Sequence, residues 1–162
     1  MAQNVKPVPE GTHTLTVHLI VREATKAIEF YQKGLGAKLL HVHNTPDGKV
    51  MHAALQIGDS QFALADEFPG MSLPSAQTLG GSPVVINVYV EDVDALFNQA
   101  VAAGAIARMP LANQFWGDRY GQITDPFGHT WALATHVEDV APDEMARRAD
   151  TLFAQMSKKA GA

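Results

Sequence analysis

Short apolar–polar alternations punctuated by helical stripes run along this chain, and the arrangement occurs twice. Residues 14–21 (TLTVHLIV) are rich in β-branched residues and predict a strand. Side chains alternate across a strand, so Leu15, Val17, Leu19 and Val21 share one face while Thr14, Thr16, His18 and Ile20 share the other. Ala24, Ala27, Ile28, Tyr31 and Leu35 then recur at helical spacing, with Gly34 and Gly36 closing the helix. Three short strands follow. Residues 38–44 lead into the turn Thr45-Pro46-Asp47-Gly48, residues 50–57 place Met51, Ala53, Leu55 and Ile57 opposite His52, Ala54 and Gln56, and residues 61–66 are anchored by Phe62 and Leu64.

After a stretch rich in glycine, proline and small polar residues (67–81), the pattern restarts. Residues 83–90 (PVVINVYV) set Val84, Ile86, Val88 and Val90 against Val85, Asn87 and Tyr89. Asp92 is placed to cap a helix carrying Val93, Leu96, Phe97, Ala100 and Val101, and Gly104 ends it. The offset between the two copies is 69 at Val21 and Val90 and 68 at Gly36 and Gly104, so the helices differ by one residue. A repeat of strand, helix and three strands implies two βαβββ modules, neither able to bury its sheet alone. The expected organisation is one domain over 12–140, with module one at 14–66, a linker at 67–81 and module two at 82–136. A carboxy-terminal helix follows at 141–158, with Met145, Ala149, Leu152, Phe153 and Met156 on one apolar stripe.

Composition narrows the function classes. Seventeen acids against twelve bases, with no Lys/Arg cluster, argue against a nucleic-acid backbone or an anionic membrane surface as partner. The absence of cysteine excludes disulfides, thiolate metal sites and a cysteine nucleophile. The polar first eleven residues lack a signal-peptide core, and no apolar run approaches a bilayer span of about twenty residues, so the expected location is cytoplasmic. No P-loop, dinucleotide fingerprint or Ser-His-Asp order occurs, and Gly34-x-Gly36 ends a helix instead of opening one.

The densest chemistry lies in residues 115–131 (FWGDRYGQITDPFGHTW), where aromatics alternate with glycine turns. By itself this stretch reads either as a pocket-lining hairpin or as a plain sheet-closing one. Four segments settle its context: AIEFYQKGLGA (27–37), IGDSQFALADE (57–67), GGSPVVINVYVEDVDALFNQAVAAGA (80–105) and FWGDRYGQITDPFGHTWALATHVEDV (115–140). Together they resemble the vicinal-oxygen-chelate superfamily of glyoxalases, bleomycin-resistance proteins and extradiol dioxygenases, with the closer similarity to its PhnB-like branch. The resemblance implies an α+β fold in which two βαβββ modules form a cup-shaped glyoxalase/bleomycin-resistance-type fold, followed here by the carboxy-terminal helix. It also implies a homodimer and a ligand held in the cup.

Metal-dependent relatives carry ligands on the first, fourth, fifth and last strands. The equivalent positions here fall at Thr16, among Ala63 to Ala65, at Val85 and at Ala132, where at most one weak hydroxyl is on offer. A divalent ion needs several converging N or O donors, so the expectation is no metal at the inherited site and no cofactor. The residues expected to face a ligand are Thr16, His18, His52, Asn87, Tyr89, Phe115, Trp116 and Arg119. Asn87 and Tyr89 could hydrogen-bond a ligand or satisfy each other; Phe115 and Trp116 could stack on one or fill the cup; Arg119 could clamp an anion or pair with Asp118 or Glu67. The favoured reading is a binder of a hydrophobic or aromatic small molecule. The alternative is a metal-dependent lyase, isomerase or dioxygenase using relocated histidines such as His18 and His52. His41, His43 and His129 read as solvated or structural.

Overall fold

The computed structural model describes residues 5–160, and side chains through residue 156; the first four residues of the polar amino-terminal stretch lie outside it. The elements are β1 (Val17–Val21), α1 (Ala24–Leu35), β2 (Lys38–Asn44), β3 (Val50–Ile57), β4 (Ser60–Asp66), α2 (Ala76–Leu79), β5 (Val85–Tyr89), α3 (Val93–Ala102), β6 (Ile106–Asn113), β7 (Asp118–Thr124), β8 (Thr130–His136) and α4 (Pro142–Ala160). They form two four-stranded sheets with the same order, β1-β4-β3-β2 and β5-β8-β7-β6. In each, the first strand pairs parallel to the last and the remaining pairs are antiparallel. The duplicated pattern in the sequence is therefore a duplicated topology.

One core joins both halves. Leu19, Val21, Ala53, Leu55, Phe62 and Leu64 of the first sheet meet Ile123, Trp131 and Leu133 of the second, with Tyr31 of α1 and Phe97 of α3 between them. The helices cross closely because Gly34, buried within α1, lacks a Cβ that would stand 3.1 Å from the Ala103 Cβ. The sequence reading took Gly34 as a helix stop; the helix runs through it, and Gly36 in the left-handed region is the terminator.

The Asp125-Pro-Phe-Gly turn between β7 and β8 ties the halves together. Its carboxylate is buried and accepts four hydrogen bonds: from Tyr31 Oη at 2.7 Å, Trp131 Nε1 at 2.9 Å, and the Phe127 and His129 amides at 2.9 Å each. Burial, reinforced by the Asp125 charge, pushes the Tyr31 phenol well above its ordinary value, so Tyr31 stays a donor. His129 completes the clasp, its Nε2 lying 3.3 Å from the Ile20 carbonyl.

Three local expectations need correcting. The first strand starts at Val17, and Leu15 is 84% exposed instead of packing with Val17 and Leu19. A register shift near His43 lets Val50 take the core position on β3 and leaves Met51 out at 60% exposure. Residues 67–81 are also more than a linker, since they contain α2, capped by the Ser75 side chain. Glu67 anchors this stretch: hydrogen bonds from Thr78, then from Ser75 and Arg22, outweigh desolvation and hold its carboxyl at about 2.

Candidate functional site

β1 and β5 are each the outer strand of their sheet, and between them lies a cleft of about 420 Å³. Its apolar walls are Val17, Phe62, Ile86, Val88 and Trp131, and its polar groups include Gln61, Asn87 and Tyr89. Volume and lining both suit a small organic molecule, which needs apolar enclosure and a few placed polar groups. A larger groove of about 690 Å³ lies on the helix side of the molecule, bordered by Glu23, Lys26, Glu29 and Lys33 of α1. It is the roomier of the two, but it collects solvated charged side chains and none of the eight residues expected to face a ligand.

Above the cleft, the exposed faces of β5, β7 and β8 converge on Asp118, which is only 3% exposed. Its Oδ2 accepts from Tyr89 Oη and Trp116 Nε1, both at 2.8 Å, and its Oδ1 pairs with His136 Nδ1 at 2.8 Å. Burial works against the charge on Asp118, but the bonds from His136, Tyr89 and Trp116 outweigh it and hold the carboxyl below its usual range. The Trp116 ring is wedged edge-on between Phe115 at 5.0 Å and Tyr120 at 5.5 Å. Tyr89, 64% exposed, therefore has its hydroxyl fixed and its ring face free. The sequence reading missed Asp118 and His136 as members of this cluster. Their signal was strand parity, since Asp118 and Tyr120 share the face opposite Ile123.

His136 reaches Asp139 with its other nitrogen at 3.0 Å. Asp139 first, and then Asp118, raise the imidazole's pKa above its ordinary value. A raised value in the folded state means that this stabilisation is full below the unfolded pKa and is lost as pH climbs through the folded one. In a proton NMR titration His136 should thus keep its proton to higher pH than a free imidazole. Asp139→Asn should bring it back toward the ordinary value, and an unchanged titration would refute the pairing.

The eight expected ligand-facing residues do not all meet. Asn87 and Tyr89 line the cleft, and Trp116 joins Tyr89 through Asp118. Thr16 precedes β1 and is exposed. Phe115 borders a shallow concavity with Glu144, Arg147, Arg148 and Thr151 of α4. Arg119 is corrected outright: it shares parity with the core-facing Gly121 and Ile123 and turns to the helix side. There it forms a two-pronged pair with Asp94 of α3, at 2.5 and 2.6 Å, and neither Asp118 nor Glu67 is its partner. Because this pair is largely solvated, Arg119→Ala should leave the chemical-denaturation midpoint close to that of the parent.

His18 and His52 belong to a different cluster, on the exposed face of the first sheet. The His18 and His52 rings are 5.8 Å apart, His52 stacks on His41 at 5.3 Å, and His41 lies 5.4 Å from His43. Desolvation first, and then the neighbouring His18, His41 and His43, lower the His52 pKa. A small apolar pocket of about 150 Å³ opens beside His18, walled by Met51, Phe68, Met71 and Leu73.

The sequence pattern of the glyoxalase/bleomycin resistance protein/dioxygenase superfamily matches residues 12–133. The chain belongs to that superfamily. An uncharacterized protein of Mycobacterium bovis is 45% identical over 148 residues, covering 90% of this chain and 93% of its own. Among solved structures, TioX from Micromonospora sp. ML1 superposes with a TM-score of 0.63 at 26% identity, covering 77% of this chain and 99% of TioX. A PhnB protein from Bacillus cereus gives 0.60 at 19% identity over 76% and 99%, a likeness of fold.

Within this superfamily the metal position can now be tested against the residues present. Thr16 lies outside β1; Val85 and Ala132 sit on neighbouring paired strands and carry no donor atom. Pairing of His18 with Ala63 and of Ile20 with Ala65 fixes the fourth-strand position on one of two alanines. These side chains do not fit a metal ion. Among the described residues, no helix is long and apolar enough to cross a membrane.

Proposed function

We propose that the chain is a small-molecule-binding member of the superfamily whose inherited metal position no longer carries ligands. It takes a hydrophobic or aromatic molecule in the cleft between β1 and β5. The observation that carries this reading is the cleft itself: about 420 Å³, walled by Phe62, Trp131 and aliphatic side chains, with Asn87 and Tyr89 as polar groups. Flat rings are favoured because the exposed Tyr89 ring is presented with its hydroxyl already tied down.

A panel of aromatic and drug-like compounds, screened by thermal shift and followed by calorimetry, tests this. At least one compound should raise the melting temperature. Asn87→Ala should then weaken it by about five- to tenfold, the worth of roughly one hydrogen bond. A panel that leaves the melting temperature unchanged, or binding indifferent to Asn87→Ala, would overturn the reading.

The same proposal includes a homodimer. Its support is the unpaired outer edges of β1 and β5, and the exposed Leu152, Phe153 and Met156 on α4, since open strand edges and apolar stripes favour cover. Light scattering after size exclusion should give twice the chain mass; a monomer at high concentration would refute it. The rival reading, a metal-dependent lyase, isomerase or dioxygenase with relocated histidines, draws on the imidazole cluster alone. A turnover lost on metal removal and regained on its return would favour it.

A further inference from the structure

We propose that the exposed face of β2 and β3 is a binding site for a late first-row divalent transition ion, held by His41, His43 and His52 with His18 alongside. This inference is independent of the ligand proposed for the cleft.

It starts from register. His41 and His43 are two apart on β2 and so point to one face, and β2 pairs with β3 such that His43 stands directly opposite His52. Three imidazoles on two adjacent strands are thereby brought together by the backbone itself. His18 joins from β1 across β4. That strand lies between, and its residues at the level of His18 and His52 are the alanines Ala63 and Ala65, too small to keep the two rings apart.

Spacing is the second observation. A tetrahedral ion with bonds of about 2.0–2.1 Å to imidazole nitrogen holds neighbouring ring centres roughly 5 Å apart. The rings here run as a chain, His18 to His52 at 5.8 Å, His52 to His41 at 5.3 Å and His41 to His43 at 5.4 Å, so His41 stands at about that spacing from both His43 and His52. As placed, the nitrogens do not yet converge, and among the described residues no three His, Asp or Glu stand in finished ligand geometry. Closing the proposed site requires these side chains to rotate. These rings are exposed or half-buried, and such rotations occur within nanoseconds.

The third observation is that the nitrogens are unoccupied. His13, His129 and His136 each sit within hydrogen-bonding distance of a protein oxygen. Among the described residues, none of the four clustered rings has such a partner. The nearby carboxylate of Asp66 is already committed, accepting from the Ala24 and Val50 amides at 2.8 and 2.7 Å. A donor set of neutral imidazoles without carboxylate suits Cu²⁺, Ni²⁺ or Zn²⁺, with Cu²⁺ bound most tightly, and discriminates against Mg²⁺ and Ca²⁺.

The test uses the full chain without a polyhistidine tag, stripped with chelator and exchanged into metal-free buffer. Titration with Zn²⁺ and Ni²⁺ in a calorimeter, and with Cu²⁺ followed by electron paramagnetic resonance, should give about one ion per chain and nitrogen hyperfine structure. Mg²⁺ should not bind. The double variant His41→Ala/His52→Ala should weaken Zn²⁺ by at least ~10-fold, while His13→Ala leaves it unchanged. Both double-variant positions lie on an open sheet face, and matching circular dichroism spectra would verify the fold. Absence of stoichiometric binding by all three ions would overturn the site, as would binding that survives the double variant.

Discussion

Replacing Asp125 by alanine is expected to lower the melting temperature by about 10 °C. The carboxylate gathers Tyr31 from module one, Trp131 from β8 and two amides of its own turn, all at 2.7–2.9 Å in the buried interior. Removing it strands four donors. A buried donor without a partner costs about 1–3 kcal/mol, and some relief comes from the exposed end of the turn, so a total near 4 kcal/mol is reasonable. For a chain of this length each kcal/mol shifts the midpoint by about 2–4 °C. Tyr31→Phe removes one donor and leaves the carboxylate with three, so its cost should be about 1–2 kcal/mol. The pair of substitutions should be strongly non-additive, because both report on one bond. If Asp125→Ala melts within a degree or two of the parent, the clasp between modules lies elsewhere.

Gly117→Ala should be about as damaging, for a different reason. Gly117 has φ +99°, and an added Cβ would stand 2.0 Å from the Glu138 carbonyl oxygen, inside any possible contact. Its own carbonyl also accepts the Val137 and Glu138 amides, so neither segment can retreat without losing those bonds. Torsional strain of about 1–3 kcal/mol and overpacking of a similar size add to about 3–5 kcal/mol. The disruption would fall on Trp116 and Asp118 on either side, so ligand response in the cleft should fall with stability. Gly48→Ala is the control. It shares a positive φ of +86° but faces open space, and should cost only about 1–2 kcal/mol. Equal melting temperatures for the two variants would mean that the clash is absorbed and the argument fails.

How far the sequence reached depended on whether a signal was local. The faces of α1 and β5 were legible because periodicity alone sets them, and Ala24, Ala27, Ile28, Tyr31 and Leu35 are all buried as their spacing demands. Arg119 shares the parity of Gly121 and Ile123, which sets it on the helix side, away from the aromatics beside it in sequence. Asp118 was visible only as a possible partner of Arg119. Two of its three bonds come from residues 29 positions before it and 18 after it, a distance no window of local pattern spans. The turn around Asp125 was read correctly as turn chemistry, but its bond to Tyr31, 94 residues away, was not readable from the turn.

The histidines mark the boundary most clearly. Sequence alone determined the two modules, most of the strand and helix faces, the family, and the absence of donors at Val85 and Ala132, because each follows from spacing or from residue identity. Alternation also put His41 with His43, and His18 and His52 on the outward faces of their own strands. Only the tertiary structure decided that the four belong together, since that depends on strand order. β4 inserts between β1 and β3, and its alanines leave the space across which His18 and His52 approach. Lateral neighbours in a sheet are chosen by long-range pairing and core packing, and no stretch of contiguous residues encodes that choice.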